Sequence, residues 1–430
     1  MVSHQLTRYV GLIALFLSTF SFAEQPVNLQ KLSLEQAIKI AEEHNHELRL
    51  SGFAVANADA ATVIASAAPN PMLTVQTLNI NPKAGIGAGN LRNKTVDSTL
   101  RIDQLIERGG KRELRTKNAS HLEDAARNDL QDVRRQLHVS VSQSYYDLLA
   151  AEEKLDITRQ TVVLYENTFT AAQKRQKAGD IAGSDVARLQ VDALRAKNDL
   201  TQAEADVGKA RQALALVLGQ ITYATQIKLA DSWPALQFNA AAPSPEALIE
   251  RRPDVLAAKS RVDAAFVARK LALASRTRDV TVGVQYEHFP LSDANPQGSG
   301  NSYGIAVQIP LFARYTFDGE IRAAEAAVDS AQENLEMTRD LARNDLVKSW
   351  QDARSSFDRI QRYDDGLLAA AKKSSDAAEF AFKHGALGVM DVLDARRTYR
   401  ASQLDALAAR ADYAKSLAAW QSAVSESNTQ

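Results

Sequence analysis

The chain has 430 residues, of which 45% are hydrophobic and 24% charged, with a formal net charge of −1. That composition belongs to a folded protein, and the near-neutral balance argues against nucleic-acid binding, which needs a clustered basic excess. There is no cysteine, so disulfides are excluded and stability has to come from packing or oligomerisation.

The first 23 residues, MVSHQLTRYVGLIALFLSTFSFA, carry a basic Arg8, an apolar run from Tyr9 to Phe20 and a Ser21-Phe22-Ala23 cleavage signal. This is the layout of a secretory signal peptide, with an apolar core too short to span a bilayer. The mature chain is expected to start near Glu24, outside the cytoplasm. Without a lipobox cysteine, an N-terminal lipid anchor is not expected. No later segment approaches about eighteen consecutive apolar residues, so membrane insertion would have to use β-strands.

A first helical segment, LSLEQAIKIAEEHNHEL, begins at Leu32. Period-two alternation then marks strands at Met72 to Ile80 and Val96 to Ile106, joined by a Gly- and Asn-rich loop from Asn81 to Lys94. From Lys111 to Ala178 there is neither Gly nor Pro. About 68 residues of strong helix formers predict helix of about 100 Å in total. The turn KAGDIAGSDV follows, and Asp185 to Leu218 is helical again, broken only by Gly208. After a connector from Gln220 to Pro245 the plan repeats. A helix carries ERRPDVLAAKSRVDAA at Glu250, strands run from Val280 to His288 and from Tyr303 to Ile309, and a Pro- and Gly-rich loop spans Pro290 to Ser302. One long helix is expected from Glu320 to His384, holding only Gly366, and after a second turn Asp391 to Val424 is helical.

The two turns, KAGDIAGSDV and KHGALGVMDV, share Lys-x-Gly and an Asp-Val step, 206 positions apart (391 − 185). Behind them the same heptad runs in the same phase. Val186, Ala193, Leu200, Val207 and Leu214 interleave with Leu189, Ala196, Ala203 and Ala210; their counterparts are Val392, Tyr399, Ala406, Tyr413 and Trp420 with Ala395, Ser402, Ala409 and Ser416. Heptads with small seam residues mean closely packed coiled-coil helices, and the offset marks an internal duplication. The expected organisation is a signal peptide (1–23), a first repeat (24–219) with strand pair 72–106 and hairpin tip near 179–185, and a linker (220–245). A second repeat (246–425), with strand pair 280–310 and tip near 385–391, ends in a short tail (426–430).

Four strands of about nine to eleven residues can cross an outer membrane, but a bilayer tolerates no open sheet edge and known barrels start at about eight strands. Several copies would have to pool their strands; three would supply twelve. The alternation then assigns valines and isoleucines to lipid and Asp97, Thr99, Arg101, Asp103, Gln285 and Glu287 to a wet interior. The same alternation also fits a small sheet capping a soluble periplasmic coiled-coil scaffold.

The repeated half-unit resembles the TolC-type outer-membrane efflux family over nearly the whole mature chain. The features that carry this are LSLEQAIKIAEEHNHEL, ERRPDVLAAKSRVDAA and the two turns; DQLIERGGKRELR at Asp103 is particularly like the cobalt-zinc-cadmium resistance branch. The resemblance implies a mainly α fold with a small β part. It implies a homotrimer with a shared twelve-stranded transmembrane barrel in outer-membrane lipid and a long α-helical barrel in the periplasm. It also implies a passive exit channel of a tripartite efflux system, working with a periplasmic membrane-fusion adaptor and an inner-membrane resistance-nodulation-division pump. The implied cargo is a divalent heavy-metal cation; drug efflux and type I protein secretion are the alternatives. No nucleophile elbow, P-loop or zinc-protease motif is present, so neither an enzyme nor a cofactor is expected.

The resemblance places the turns at the periplasmic tip of the channel. Asp391 and Asp394, three apart in MDVLDA, share a helix face and match positions that form acidic rings at the constriction; three-fold repetition would attract cations there. The other reading of such acids is helix N-terminal chemistry. Asp185 matches the same motif, but Arg188 stands where the second acid would be, which favours capping. Where some relatives carry a tyrosine and an arginine that lock the tip, this chain has Phe382 and Leu387. Gly179, Gly183, Gly385 and Gly388 read as positive-φ turn residues. Exposed apolar residues beside them (Ile181, Ala182, Leu387 and Val389) read, with those glycines, as the adaptor contact. His44 and His46 are two apart and do not face one another on a helix, so no metal site is expected.

Overall fold

The computed structural model describes residues 29–80, 96–238, 241, 245–291 and 298–424. The signal peptide, the loop from Asn81 to Lys94 and the C-terminal tail lie wholly outside these residues, as does the middle of the loop from Pro290 to Ser302.

Helix α1 (Leu34–His44) opens with a reciprocal cap. Ser33 Oγ accepts from the Gln36 N–H at 3.2 Å and Gln36 Oε1 accepts from the Ser33 N–H at 3.1 Å. Helix α2 (His46–Ser66) follows at once, capped by Asn45 Oδ1 on the Leu48 N–H at 3.0 Å. Strands β1 (Met72–Leu78) and β2 (Asp97–Ile106) lead into α3 (Lys111–Lys177), a 67-residue helix of about 100 Å, and its partner α4 (Gly183–Val217). A short 3-10 turn (Ile221–Gln226) and helix α5 (Pro245–Ile249) precede α6 (Pro253–Ala274), which has proline in its first turn. Strands β3 (Val280–Phe289) and β4 (Gly300–Gln308) lead into α7 (Asp318–Arg362), α8 (Leu368–Lys383) and α9 (Val389–Val424).

The single helix expected from Glu320 to His384 is interrupted. Between α7 and α8 lies a π-helical turn, Tyr363–Leu367, in which Gly366 takes φ 153° and ψ −17°. A side chain would be strained at that φ, and the widened turn relaxes the register between the helices on either side. The corresponding stretch of α3 has no such break.

The strands form one antiparallel sheet in the order β1-β2-β3-β4, with every helical connection leaving from the same end. The register pairs Leu73 with Ile102, Ile102 with Val284, and Val284 with Ile305. These four residues share one face, and all are largely exposed.

Packing follows the heptads. Val186, Leu189, Ala193, Ala196, Ala203, Val207 and Leu214 are buried along α4, as are Val392, Ala406, Ala409, Tyr413 and Trp420 along α9. Two buried tyrosines hold the segment between α4 and α5. Tyr145 on α3 donates its hydroxyl to the Leu32 carbonyl (2.9 Å) and accepts from the Asp231 N–H (3.2 Å). Tyr413 on α9 donates to the Gln237 carbonyl at 3.1 Å. Burial pushes the Tyr145 hydroxyl up to about 12, so it stays a neutral donor at any physiological pH. Arg252 of the ERRPDV stretch is also buried, with Nη2 2.7 Å from Asp254 and 3.5 Å from Asp345 of α7. That motif fastens α6 to α7.

Candidate functional site

The end of the helical body remote from the sheet is made by two turns of identical construction. After α3, Gly179 adopts φ 85°, its N–H reaches the Gln176 carbonyl (3.0 Å) and the Asp180 N–H reaches Arg175 (2.9 Å). After α8, Gly385 adopts φ 73°, with bonds to Phe382 (3.0 Å) and from Ala386 to Ala381 (2.8 Å). Each is a 6→1 and 5→2 pair that satisfies the last carbonyls of the helix, which is why glycine is needed there. The expectation of positive φ at all four glycines is corrected. Gly183 and Gly388 lie outside the left-handed region, and their limit is space: an added Cβ would come 3.1 Å from Gln176 Nε2 and 3.3 Å from Asp391 Oδ2, respectively.

The tips of the two hairpins pack on each other. Ala172, Val186, Leu189, Phe382, Val389, Val392 and Leu393 form a buried cluster, with Ile181 and Leu387 half-buried against it. Val389 is therefore a core residue rather than an exposed one, because the second hairpin's first turn faces the first hairpin; Ala182 is exposed. Phe382 makes no polar lock, but it sits in this core with the Arg175 guanidinium 5.1 Å from its ring centre.

Polar fastening comes instead from three arginines on α9. Arg396, only 4% exposed, donates to Thr168 Oγ1 of α3 at 2.6 Å and lies 3.1 Å from Glu379 of α8. Arg397 contacts both oxygens of the buried Asp192 on α4 at 2.7 and 2.8 Å. Arg400 reaches Asp199, one heptad further along α4, at 2.7 Å. Burial tends to raise the Glu379 carboxyl, but Lys383 and Arg396 outweigh it and hold the group below the usual range. The Asp192 carboxylate raises Arg397 above its ordinary value. None of these residues was singled out from the sequence. The signal was available in RR-x-x-R on α9 facing two aspartates seven apart on α4.

Asp391 and Asp394 lie at the start of α9, both exposed, and neither makes a salt bridge among the described residues. Asp185 sits in the first turn of α4 with its carboxylate 3.7 Å from Arg188. The capping expected of it is corrected: the Asp185 carboxylate accepts no hydrogen bond from the first N–H groups of α4, whose N-cap is Ala182, and its neighbour is Arg188 one turn on. The acids therefore differ in their neighbours: Asp394 acts on Arg397, whose guanidinium is already held by Asp192, whereas Asp185 lies beside Arg188.

At the far end, the sheet separates two faces. Arg101 and Asp103 form an ion pair (2.8 Å) on one face, where Arg101 is registered against Gln285 and Thr99 against Glu287; Asp97, in the same alternation, accepts from Asn79 Nδ2. Asp103 lies over Gly283 so closely that an added Cβ would be 2.3 Å from its Oδ1, and Gln285 lies over Gly304 at 3.1 Å. Glycines on this face let polar chains lie flat. The opposite face exposes Leu73, Val75, Leu100, Ile102, Val284, Tyr303, Ile305 and Val307. No helix among the described residues is long and apolar enough to cross a membrane. Nor does any group of three or more His, Cys, Asp or Glu among them stand where it could hold a metal ion.

The family described as outer membrane efflux protein matches this chain twice, over residues 37–220 and 244–425. The chain belongs to that family. Members of the outer membrane efflux family are passive conduits rather than enzymes. Among relatives, the cobalt-zinc-cadmium resistance protein CzcC of Cupriavidus metallidurans is 27% identical, covering 85% of this chain and 84% of its own. The pyoverdine export outer membrane protein OpmQ of Pseudomonas putida is also 27% identical, covering 86% and 81%. The fold matches the Campylobacter jejuni CmeC outer membrane channel with a TM-score of 0.78 at 14% identity, covering 91% of this chain and 85% of that one. The mainly α architecture with a small antiparallel sheet is that of the outer-membrane efflux channels.

Proposed function

We propose that three copies of this chain pool their sheets into a twelve-stranded outer-membrane barrel and their hairpins into a periplasmic tunnel, the exit duct of a tripartite efflux system. The observation that carries this is the sheet. One face is apolar and exposed, the other polar, and β1 and β4 pair on one side only among the described strands. A bilayer admits such a sheet only when its edges are closed by further strands. Asp97, Arg101, Asp103, Gln285 and Glu287 then line the lumen. The chain is exported by its leader, with the mature part starting near Glu24.

The hairpin tips meet the periplasmic adaptor through the exposed turn around Gly179, Ala182, Gly183, Gly385 and Gly388, with Ile181 and Leu387 at its half-buried margin. Substrate selection and energy belong to the inner-membrane pump. The second hairpin is the mobile one. It carries Asp391 and Asp394, which form acidic rings by three-fold repetition, and it has the Gly366 break that the first hairpin lacks. Asp185, balanced by Arg188, stays with the static hairpin.

We assign the cargo as divalent heavy-metal cations, supported by the likeness to CzcC and by the exposed acids at the tip. Export of an organic molecule is the second reading, favoured by the equal identity to OpmQ. A deletion strain challenged with zinc, cobalt and cadmium separates the two. Hypersensitivity restored by the intact gene supports the metal assignment; growth equal to the parent overturns it.

A further inference from the structure

Past its helix-bearing end, the apolar face of the sheet gives way to arginine. Along β2 the face runs through Leu100, Ile102 and the polar Gln104 to Ile106; along β3 it runs through Val284 and Val282 to Val280; beside them on β4 lie Ile305, Val307 and, just past the strand, Ile309. Two residues further in the same alternation stand Arg108 and Arg278. These two, with Arg276, Thr277, Phe312 and Thr316, line one open groove. The Arg278 guanidinium lies 5.7 Å from the Phe312 ring centre, and the adjoining Leu311 is 77% exposed.

The acids nearby are already engaged. Asp279 takes Lys111 Nζ at 2.9 Å and the Arg108 backbone N–H, Asp318 takes Arg276 at 2.5 Å, and Glu107 takes Arg115 at 2.7 Å. Arg108 and Arg278 make no salt bridge among the described residues, although the charge of Arg108 acts on Asp279, so two exposed cations border an exposed apolar surface. The other end of the face is different: there His288 meets Asn301 at 2.9 Å and Tyr286 packs on Tyr303, with no arginine among the described residues.

We propose that this groove binds a phospholipid, with the headgroup phosphate between Arg108 and Arg278 and the acyl chains along Ile106, Val280, Ile309 and Leu311. The inference rests on the channel reading, in which the helix-bearing end faces the periplasm and hence the phospholipid leaflet. Guanidinium suits phosphate because its planar donors pair with two oxygens at once, and the ring beneath Arg278 holds one of them in place. The site sets the depth at which the barrel sits, since the band above it is apolar and the body below it charged.

The test uses the full-length protein in detergent, titrated with phosphatidylglycerol and read by native mass spectrometry. Diacylglycerol of the same chains and inorganic phosphate serve as the other probes. R108Q/R278Q should hold phosphatidylglycerol roughly tenfold more weakly, with diacylglycerol retention unchanged and R108K/R278K in between, since an ammonium keeps the charge but loses the paired donors. Equal phosphatidylglycerol retention by wild type and R108Q/R278Q overturns the proposal. So does retention of diacylglycerol equal to that of phosphatidylglycerol, or displacement of the lipid by inorganic phosphate at matched concentration. Trimer mass and bilayer conductance of the same samples report separately on the channel: trimers that conduct but ignore the headgroup refute only the lipid site.

Discussion

Replacing Arg397 with alanine removes a contact that joins the two hairpins directly. Asp192 is 8% exposed and Arg397 51%, and both carboxylate oxygens lie within 2.8 Å of one guanidinium nitrogen. Breaking a fully buried pair costs about 3–5 kcal/mol because one charge is left unsolvated; exposed pairs contribute about 0–1 kcal/mol. Since one partner here is buried and the other half in water, the expected cost is about 2 kcal/mol, roughly 30-fold in the equilibrium between joined and separated hairpins. The assay is the open fraction of single channels in planar bilayers, measured for R397A, D192A and R397A/D192A. The cycle should return a coupling of at least about 1 kcal/mol, with the double variant close to either single one. Strictly additive effects, or an R397A channel that opens no more often than wild type, would refute the assignment of this pair as a closure contact.

The two turns give a second contrast. Gly179→Ala places a side chain at φ 85° and should lower stability by about 1 kcal/mol. Gly183→Ala, at ordinary φ, should cost less and be relieved by removing the amide of Gln176; equal losses in thermal unfolding would contradict the capping account. Glu379 supplies the pH dependence. Its folded value is depressed below the ordinary 4.5, so its ion pair with Arg396 is intact above that value and lost as pH falls through the lower folded one. Open probability should therefore stay flat from pH 7.5 to roughly 5, and a rise within that window would rule out this carboxylate as the controlling group. D391N/D394N should reduce cation-over-anion selectivity without changing trimer yield, read from reversal potentials in a salt gradient; unchanged selectivity would remove the acids from the conduction path.

Most of the helical plan was legible because glycine and proline are missing where the chain is continuous and the heptad seam repeats with little interruption from Val186 to Leu214 and from Val392 to Trp420. The strands were legible from period two. Three features were not. Gly366 read as a tolerated residue inside a helix, since a lone glycine costs only about 1 kcal/mol there and the pattern continues on both sides. In each turn the second glycine looked equivalent to the first, although only the residue following the C-cap takes the left-handed conformation. Val389 and the arginines of α9 were misjudged or missed for one shared reason: their environment is made by α3 and α4, about 200 residues away in the chain. Local periodicity reports the seam within a hairpin, whereas contacts between hairpins depend on how the two copies of the duplication pack.

On the channel reading, one chain's sheet is part of a shared barrel. The most direct measurement is the conductance of purified full-length protein in planar bilayers, taken with its migration on denaturing gels before and after heating. A shared barrel requires a heat-labile trimer that inserts and passes ions. A monomer that stays in aqueous solution and leaves the bilayer silent would contradict it.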